Sequence, residues 1–512
     1  MPIPSSNLGS CFECWAAPDG TAIIDIRDWD NPVELSYRAF DAECTAVARG
    51  LVKQGLKRGD RVGILSLNRF EALAAFFGAM RAGLVAVPIS FKLSRDTVEY
   101  IVRDAGLKAV FHDDARSGLG PRGLLRIGFD ERGGYEALKD PGCFEAIEPT
   151  GREVGMMLYT SGSTGKPKGV LLSHDSQLWG VRRSLTLIDN PSRHRYVVAA
   201  PMFHMNATFS VMLALASGAS MILMPSFDAE IYTRAIERFR VTWLTSVPTM
   251  LALIAREIDL LDELDLSSVE RVTMGSAPLT QTLVDKVQAI FPNAVITNNY
   301  GSTEAGPCPF GPHPRGIPRP SISLGYPLSG LQAELREGSS SDEGVLYTRS
   351  PMLMEGYNNL PQKTADVVQD GWYRSGDVMR RDENGFFYFV GRNDDMFVVG
   401  GENVWPGEVE RLVDRMPGVH QTIVVAVPDE IKGALPFAFI VRQPNAQIDE
   451  AAVKAFAIAN GPAYAHPRFV AFIDAIPLTP TNKPDRRRLT EEAERLVLQC
   501  QSTAEAARVS IQ

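Results

Sequence analysis

The sequence predicts an α/β fold: a large N-terminal domain of mostly parallel sheets with helices plus a small β unit, followed by a small α+β C-terminal domain. Three observations predict it. From about residue 40 to 300, short apolar segments alternate with helical stretches, the pattern of parallel strands joined by covering helices. Between about 320 and 390, turn signals crowd together. After Arg392, the polar cluster Asn393-Asp394-Asp395 opens a stretch with its own strand and helix rhythm. The predicted boundary separates 1–392 from 393–512, with a small antiparallel unit at about 320–390.

The elements follow in order. Residues 61–67 read as a strand after a Gly-Asp turn. Phe70, Leu73, Phe76, Phe77 and Met80 then recur on one helical face. Segments 84–89 and 108–111 are short apolar strands around a helix at 96–104. The alternation resumes with strands at 196–200, 220–224, 241–246, 271–274 and 295–299. In the small unit, Glu343-Gly344, Asp370-Gly371 and Glu383-Asn384-Gly385 mark turns between short strands.

At 512 residues the chain exceeds one ordinary domain. With 45% apolar and 22% charged residues it has the composition of a soluble globular protein. A net charge of −9 argues against a nucleic-acid partner. The first residues lack a basic start followed by an apolar run, and residues 211–225 are interrupted by Ser217, Gly218 and Ser220. No membrane insertion is expected, and the expected compartment is cytoplasmic. Cys11 and Cys14 form a lone CxxC with neither zinc-site nor redox context, so reduced structural thiols are expected. Residues 118–123 match GxGxxG literally, but a surface loop fits better: residues 113–117 separate them from the preceding strand, and 124–127 resemble a strand rather than a helix. There is no HExxH pair.

The most informative segment is 158–170, Leu-Tyr-Thr-Ser-Gly-Ser-Thr-Gly-Lys-Pro-Lys-Gly-Val. A strand enters at 156–159 and another leaves at 170–172. Gly162 and Gly165 let backbone approach an anion closely, and successive N–H groups can surround phosphate oxygens. Thr160, Ser161, Ser163 and Thr164 add hydroxyls, and Lys168 adds charge. The common nucleotide loop would need Gly where Thr160 stands and Ser or Thr where Pro167 stands. A solvated hairpin turn is the bland alternative.

This segment resembles the phosphate loop of the adenylate-forming, AMP-binding superfamily of acyl-CoA synthetases, adenylation domains and luciferases. The resemblance runs in order and spacing from about residue 35 to 490. It is nearest to bacterial aryl- and acyl-CoA ligases acting on 4-chlorobenzoate or hydroxycinnamates. It implies stacked sheets in the large domain, a mobile C-terminal domain, and ATP, Mg2+ and coenzyme A as reactants.

The resemblance then assigns roles. Pro201-Met202-Phe203-His204-Met205-Asn206 places His204 between the acyl pocket and the thiol tunnel, although a lone His in apolar company is usually a core residue. Phe203, Asn206, Gly275 and Gly306 are the remaining acyl-pocket candidates. Ser276 and Ala277 border adenine. Asn299-Tyr300-Gly301-Ser302-Thr303-Glu304 follows a strand, where ligands of parallel sheets bind. It offers an aromatic face, a close-approach glycine, hydroxyls and a carboxylate. Glu304 is the expected magnesium ligand, with Thr164 assisting. Asp377, with Arg392, is the expected ribose partner. Asp394 is the expected hinge, and Gly400-Gly401 the pantetheine-facing turn. Lys483, in Thr481-Asn482-Lys483-Pro484, is the expected catalytic cation of adenylation; the family more often has Gly where Asn482 stands. Taken alone, Arg486-Arg487-Arg488 is a solvated basic run.

The expected reaction turns a carboxylic acid, ATP and CoA into acyl-CoA, AMP and pyrophosphate through an acyl-adenylate. An aryl or hydroxycinnamic acid is expected first, a medium-sized apolar acid second. The alternatives are an adenylating enzyme that loads a carrier protein and a non-catalytic nucleotide-binding protein. Monomer and homodimer are both compatible with the sequence.

Overall fold

The computed structural model describes residues 3, 5–12, 17–118, 124–160, 166–429, 431–479 and 484–509. The chain divides into two compact units, Met1–Glu334 with Tyr347–Ser375, and Leu335–Leu346 with Gly376–Gln512.

The larger unit is built on two seven-stranded sheets. One runs Val295–Asn299, Arg271–Gly275, Trp243–Ser246, Arg195–Val198, Ser220–Leu223, Thr21–Asp25, Val33–Ser36. All neighbours in it are parallel except the last pair. The second runs Gly356–Tyr357, Lys168–Ser173, Val154–Thr160, Val85–Pro88, Arg61–Leu65, Ala109–His112, Leu125–Gly128. Its first two pairings are antiparallel and the rest parallel.

Two helices share the core of these sheets. Phe70–Arg81 is buried at every residue but Phe70, and Met205–Ala216 at every residue but Asn206. Helices so largely apolar on every side belong inside a protein. Their side chains pack into one cluster with Ile23 and Tyr196 from the first sheet and Val62 and Met156 from the second.

The predicted strands and helices of 61–111 and 196–299 are present within one or two residues of their expected ends. Three features differ. The pair Thr21–Asp25 and Val33–Ser36 extends the first sheet before the expected start of the alternation. Glu343-Gly344 begins the strand Glu343–Arg349 rather than a turn. Gly356–Tyr357, inside the expected small β unit, joins the second large sheet by pairing with Lys168–Ser173. Most of the GxGxxG match, residues 119–123, lies outside the described residues, and Leu125–Gly128 is a strand.

The smaller unit packs the long hairpin Val419–Asp429 and Gly433–Arg442 against helices Pro406–Val413 and Arg486–Val509. Among the described residues, no helix is long and apolar enough to cross a membrane.

Candidate active site

The phosphate-loop segment is a hairpin. Strands Val154–Thr160 and Lys168–Ser173 pair with Thr160 opposite Lys168. Ser161, Gly162, Ser163, Thr164 and Gly165 lie outside the described residues. Lys168 Nζ sits 4.4 Å from the centroid of the Tyr357 ring. The Thr160 hydroxyl is buried with no hydrogen-bond partner among the described residues. Such an unmet group costs about 1–3 kcal/mol, which a bound oxyanion would offset. Below the hairpin, the Tyr159 phenol donates to Asp104 Oδ2 at 2.6 Å. Asn358 Nδ2 donates to the Asp104 carbonyl at 2.8 Å. Burial and the Asp104 carboxylate raise the Tyr159 phenol well above its usual range, so it stays a donor.

Glu304 lies in a tight turn. Ser302 and Gly306 exchange both backbone hydrogen bonds, at 3.1 and 3.0 Å. The Glu304 carbonyl accepts from Met354 N at 2.8 Å, and its Oε1 accepts from the Tyr357 phenol at 3.0 Å. Among the described residues, Oε2 carries no hydrogen bond. One carboxylate oxygen held and one left open suits a magnesium ion that takes its other oxygens from phosphate and water.

The segment around Tyr357 grips both neighbours. Glu355 N donates to the Leu171 carbonyl at 2.8 Å and Asn358 N to the Gly169 carbonyl at 2.7 Å. The Glu304 turn, Tyr357, Lys168 and the Thr160 end of the hairpin are thereby tied together.

The carboxyl ends of the first sheet carry the other predicted segments. Gly275 and Asn299 are register partners. Ser276, next to Gly275, is held at a φ of +68°, a strained conformation for a residue with a side chain. Such strain gathers at functional sites. Gly301 admits no side chain, because a Cβ there would lie 2.4 Å from the Pro307 carbonyl oxygen. The Tyr300 ring packs near Phe310, and Ala277 and Thr303 are half-buried. His204 is the N-cap residue of Met205–Ala216, its ring 4.5 Å from that of Phe203. Phe203 packs on Phe91 and lines a cavity of about 20 Å³ with Leu73, Phe76 and Ile89. That space holds one water-sized guest and no aromatic ring. Asn206 faces out of the core, and Gly306 is held at a φ of +105°.

In the smaller unit, Asp377 and Arg392 are opposite each other on paired strands, with Arg392 Nη1 donating to Asp377 Oδ1 at 2.9 Å. Asp394 is exposed in the short turn Asn393–Asp395. Gly400 and Gly401 form the two-residue turn of a hairpin, at φ of +61° and +94°. Positive φ at both positions is why both are glycine. Lys483 lies outside the described residues, but its loop is bounded. Leu478 bridges Pro484, and Asp485 N donates to the Pro477 carbonyl at 2.8 Å.

The bland alternative of a solvated basic run does not describe Arg486. It is no solvated base: its Nη2 donates to both oxygens of the buried Glu410, at 2.7 and 3.0 Å, and its Nη1 to the Val424 carbonyl. Tyr159, Tyr357, Asn358 and Glu410 also go unmarked by sequence reasoning. Each matters through a partner far away in the chain, and no local spacing reveals that. Cys44 is a buried free thiol, and Cys14 lies outside the described residues.

Comparison with known proteins identifies the family. The AMP-binding enzyme family matches residues 12–358, and the AMP-binding enzyme C-terminal domain matches residues 408–483. A feruloyl-CoA synthase of Amycolatopsis is 32% identical over 464 residues, covering 88% of this chain and 92% of the relative. A long-chain-fatty-acid–CoA ligase of Mycobacterium tuberculosis is 31% identical with the same coverage. The crystal structure of ATP-bound MatB from Rhodopseudomonas palustris superposes with a TM-score of 0.87 at 27% identity, covering 96% of this chain and 99% of that one. The chain belongs to the AMP-binding enzyme family.

Proposed function

We propose that this enzyme activates a small carboxylic acid with ATP and passes the acyl group to coenzyme A. A carboxylate oxygen attacks the α-phosphorus, and the bond to pyrophosphate breaks, leaving acyl-AMP. The CoA sulfur, its proton lost to solvent, attacks the acyl carbon. The bond from that carbon to AMP then breaks, and AMP departs with the electron pair.

One observation carries the reading: a carboxylate, a phenol and a cation, Glu304, Tyr357 and Lys168, meet beside the Thr160 end of the glycine-rich hairpin. Lys168, Thr160 and the following loop residues bind the phosphates. Magnesium bound at Glu304, with Thr164 assisting, would neutralise phosphate charge. Ser276, Ala277 and residues 299–303 border adenine, while Asp377 and Arg392 hold ribose. Lys483 offsets charge at the carboxyl–phosphorus junction in the first step. A swing about Asp394, near the proposed 392/393 domain border, brings Gly400-Gly401 to the pantetheine arm in the second. Phe203, His204, Asn206, Gly275 and Gly306 surround the acyl group. An aryl or hydroxycinnamic acid is favoured, with a medium-sized apolar acid next. The feruloyl-CoA synthase among the relatives supports that order. Cys44 and Cys143, free thiols among the described residues, fit a cytoplasmic setting.

Pyrophosphate release over a panel of acids, with and without CoA, tests the reading. Release that depends on acid, with thioester formed only when CoA is present, is expected. Thioester formed on a carrier protein but not on CoA would move the acceptor. ATP binding without any release would leave a non-catalytic protein. Lys483→Ala should lower adenylate formation about 100- to 1000-fold, while supplied acyl-AMP still becomes thioester. Equal loss of both half-reactions would overturn the role of Lys483.

A further inference from the structure

We infer that Tyr357 is a positioning residue for adenylation, orienting the Glu304 carboxylate through its hydroxyl and Lys168 through its ring. The inference rests on the reading of Glu304 and Lys168 given above and adds a residue to it. Tyr357 is buried, and among the described residues its side chain meets both groups. The phenol donates to Glu304 Oε1 at 3.0 Å, fixing the carboxylate plane and leaving Oε2 directed elsewhere. The Lys168 ammonium lies 4.4 Å from the ring centroid, within cation–π range. A ring face restrains a flexible lysine without neutralising it, as a carboxylate partner would, so the charge stays available to phosphate.

The backbone around Tyr357 is anchored well enough to act as a reference point. Its N–H donates to Thr364 Oγ1 at 2.9 Å, and Thr364 Oγ1 donates to the Leu360 carbonyl at 3.1 Å. Strand Gly356–Tyr357 is in register with the outgoing strand of the hairpin, Tyr357 opposite Val170. Met354 N holds the Glu304 carbonyl from the other side. Residues that orient a metal's carboxylate ligand commonly change metal affinity 10- to 100-fold when altered.

The hydroxyl and the ring are separable. Tyr357→Phe removes only the phenol; Tyr357→Leu also removes the ring face. The test is calorimetric ATP binding with and without Mg2+, which needs no turnover, alongside thermal unfolding of each variant. Tyr357→Phe should bind ATP alone as the parent does, yet lose about tenfold of the affinity that Mg2+ adds. Its Mg2+ requirement for pyrophosphate release should rise by a similar factor, with kcat at saturating Mg2+ changed little. Tyr357→Leu should also weaken Mg2+-free ATP binding. A merely packing role would lower the Tm of both variants and leave the Mg2+ increment intact, which would overturn the proposal. If the parent itself showed no Mg2+ increment, the reading of Glu304 would fail first, and the two failures are therefore distinguishable.

Discussion

In the larger unit, the reactive hairpin is held by backbone. Strand pairing on both edges, with the bonds from Glu355 and Asn358, fixes Thr160 and Lys168, and the side-chain contacts of Tyr357 and Tyr159 add to a frame already made. In the smaller unit, Arg486, two residues past Pro484, is held by an ion pair with the buried Glu410, beside the Leu478–Pro484 bridge and the bond from Asp485 N to the Pro477 carbonyl. The contrast extends to protons. His174 in the larger unit accepts from Leu8 N at 2.9 Å, and burial pushes its ring down to about 4. Burial of the Asp414 carboxyl in the smaller unit pushes it up to about 7. A frame of backbone bonds tolerates the loss of any one side chain better than the Glu410–Arg486 pair tolerates the loss of either partner.

The largest effect should come from Glu410→Ala. It leaves Arg486 Nη2 and the Val424 N–H without their acceptor, and removing one member of such a pair costs about 3 kcal/mol when the other is part-exposed. Hydrogen exchange should rise across 406–442 and 484–497 and stay unchanged in the larger unit. Adenylation should fall more than thioester formation from supplied acyl-AMP. Uniform loosening of both units would break the contrast.

Next is Asp414. Its folded value lies above the unfolded one of 3.8. The smaller unit therefore keeps this contribution in full below about pH 4 and loses it as pH rises toward about 7. Asp414→Asn should match the parent near pH 4 and exceed it at pH 8. Chemical denaturation at several pH values reads this directly.

The smallest effect, of opposite sign, belongs to His174. Its folded value lies below the unfolded 6.5, so the contribution is whole above that pH and is lost as pH falls toward about 4. His174→Asn keeps an acceptor for Leu8 N and should flatten the acid side of the larger unit's stability curve by about 1–2 kcal/mol. An unchanged acid slope would assign the sensitivity to other groups.

The parts of this molecule legible in sequence are those with local signatures. The buried helix from Phe70 and the strand Val295–Asn299 announce themselves by periodicity, and the hairpin at Thr160 by its density of glycine and hydroxyls. The strand Thr21–Asp25 went unread because Val33–Ser36, its partner on the sheet edge, is largely exposed and lacks an apolar run. Tyr357 went unread for a different reason. Gly356-Tyr357 looks like any turn–aromatic pair, and only a bond across 53 residues to Glu304 gives it meaning. Glu410 and Arg486 are 76 residues apart and meet through a fold that neither encodes alone.

The bracket that begins at Met354 and ends at Asn358 also acts as a ruler. Both of its ends are pinned to neighbours by main-chain bonds, and side chains in an extended segment alternate faces with every residue. A single inserted or deleted residue here would turn the phenol away from Glu304 and the ring away from Lys168 in the same stroke. Length, more than composition, is what this short span cannot give up.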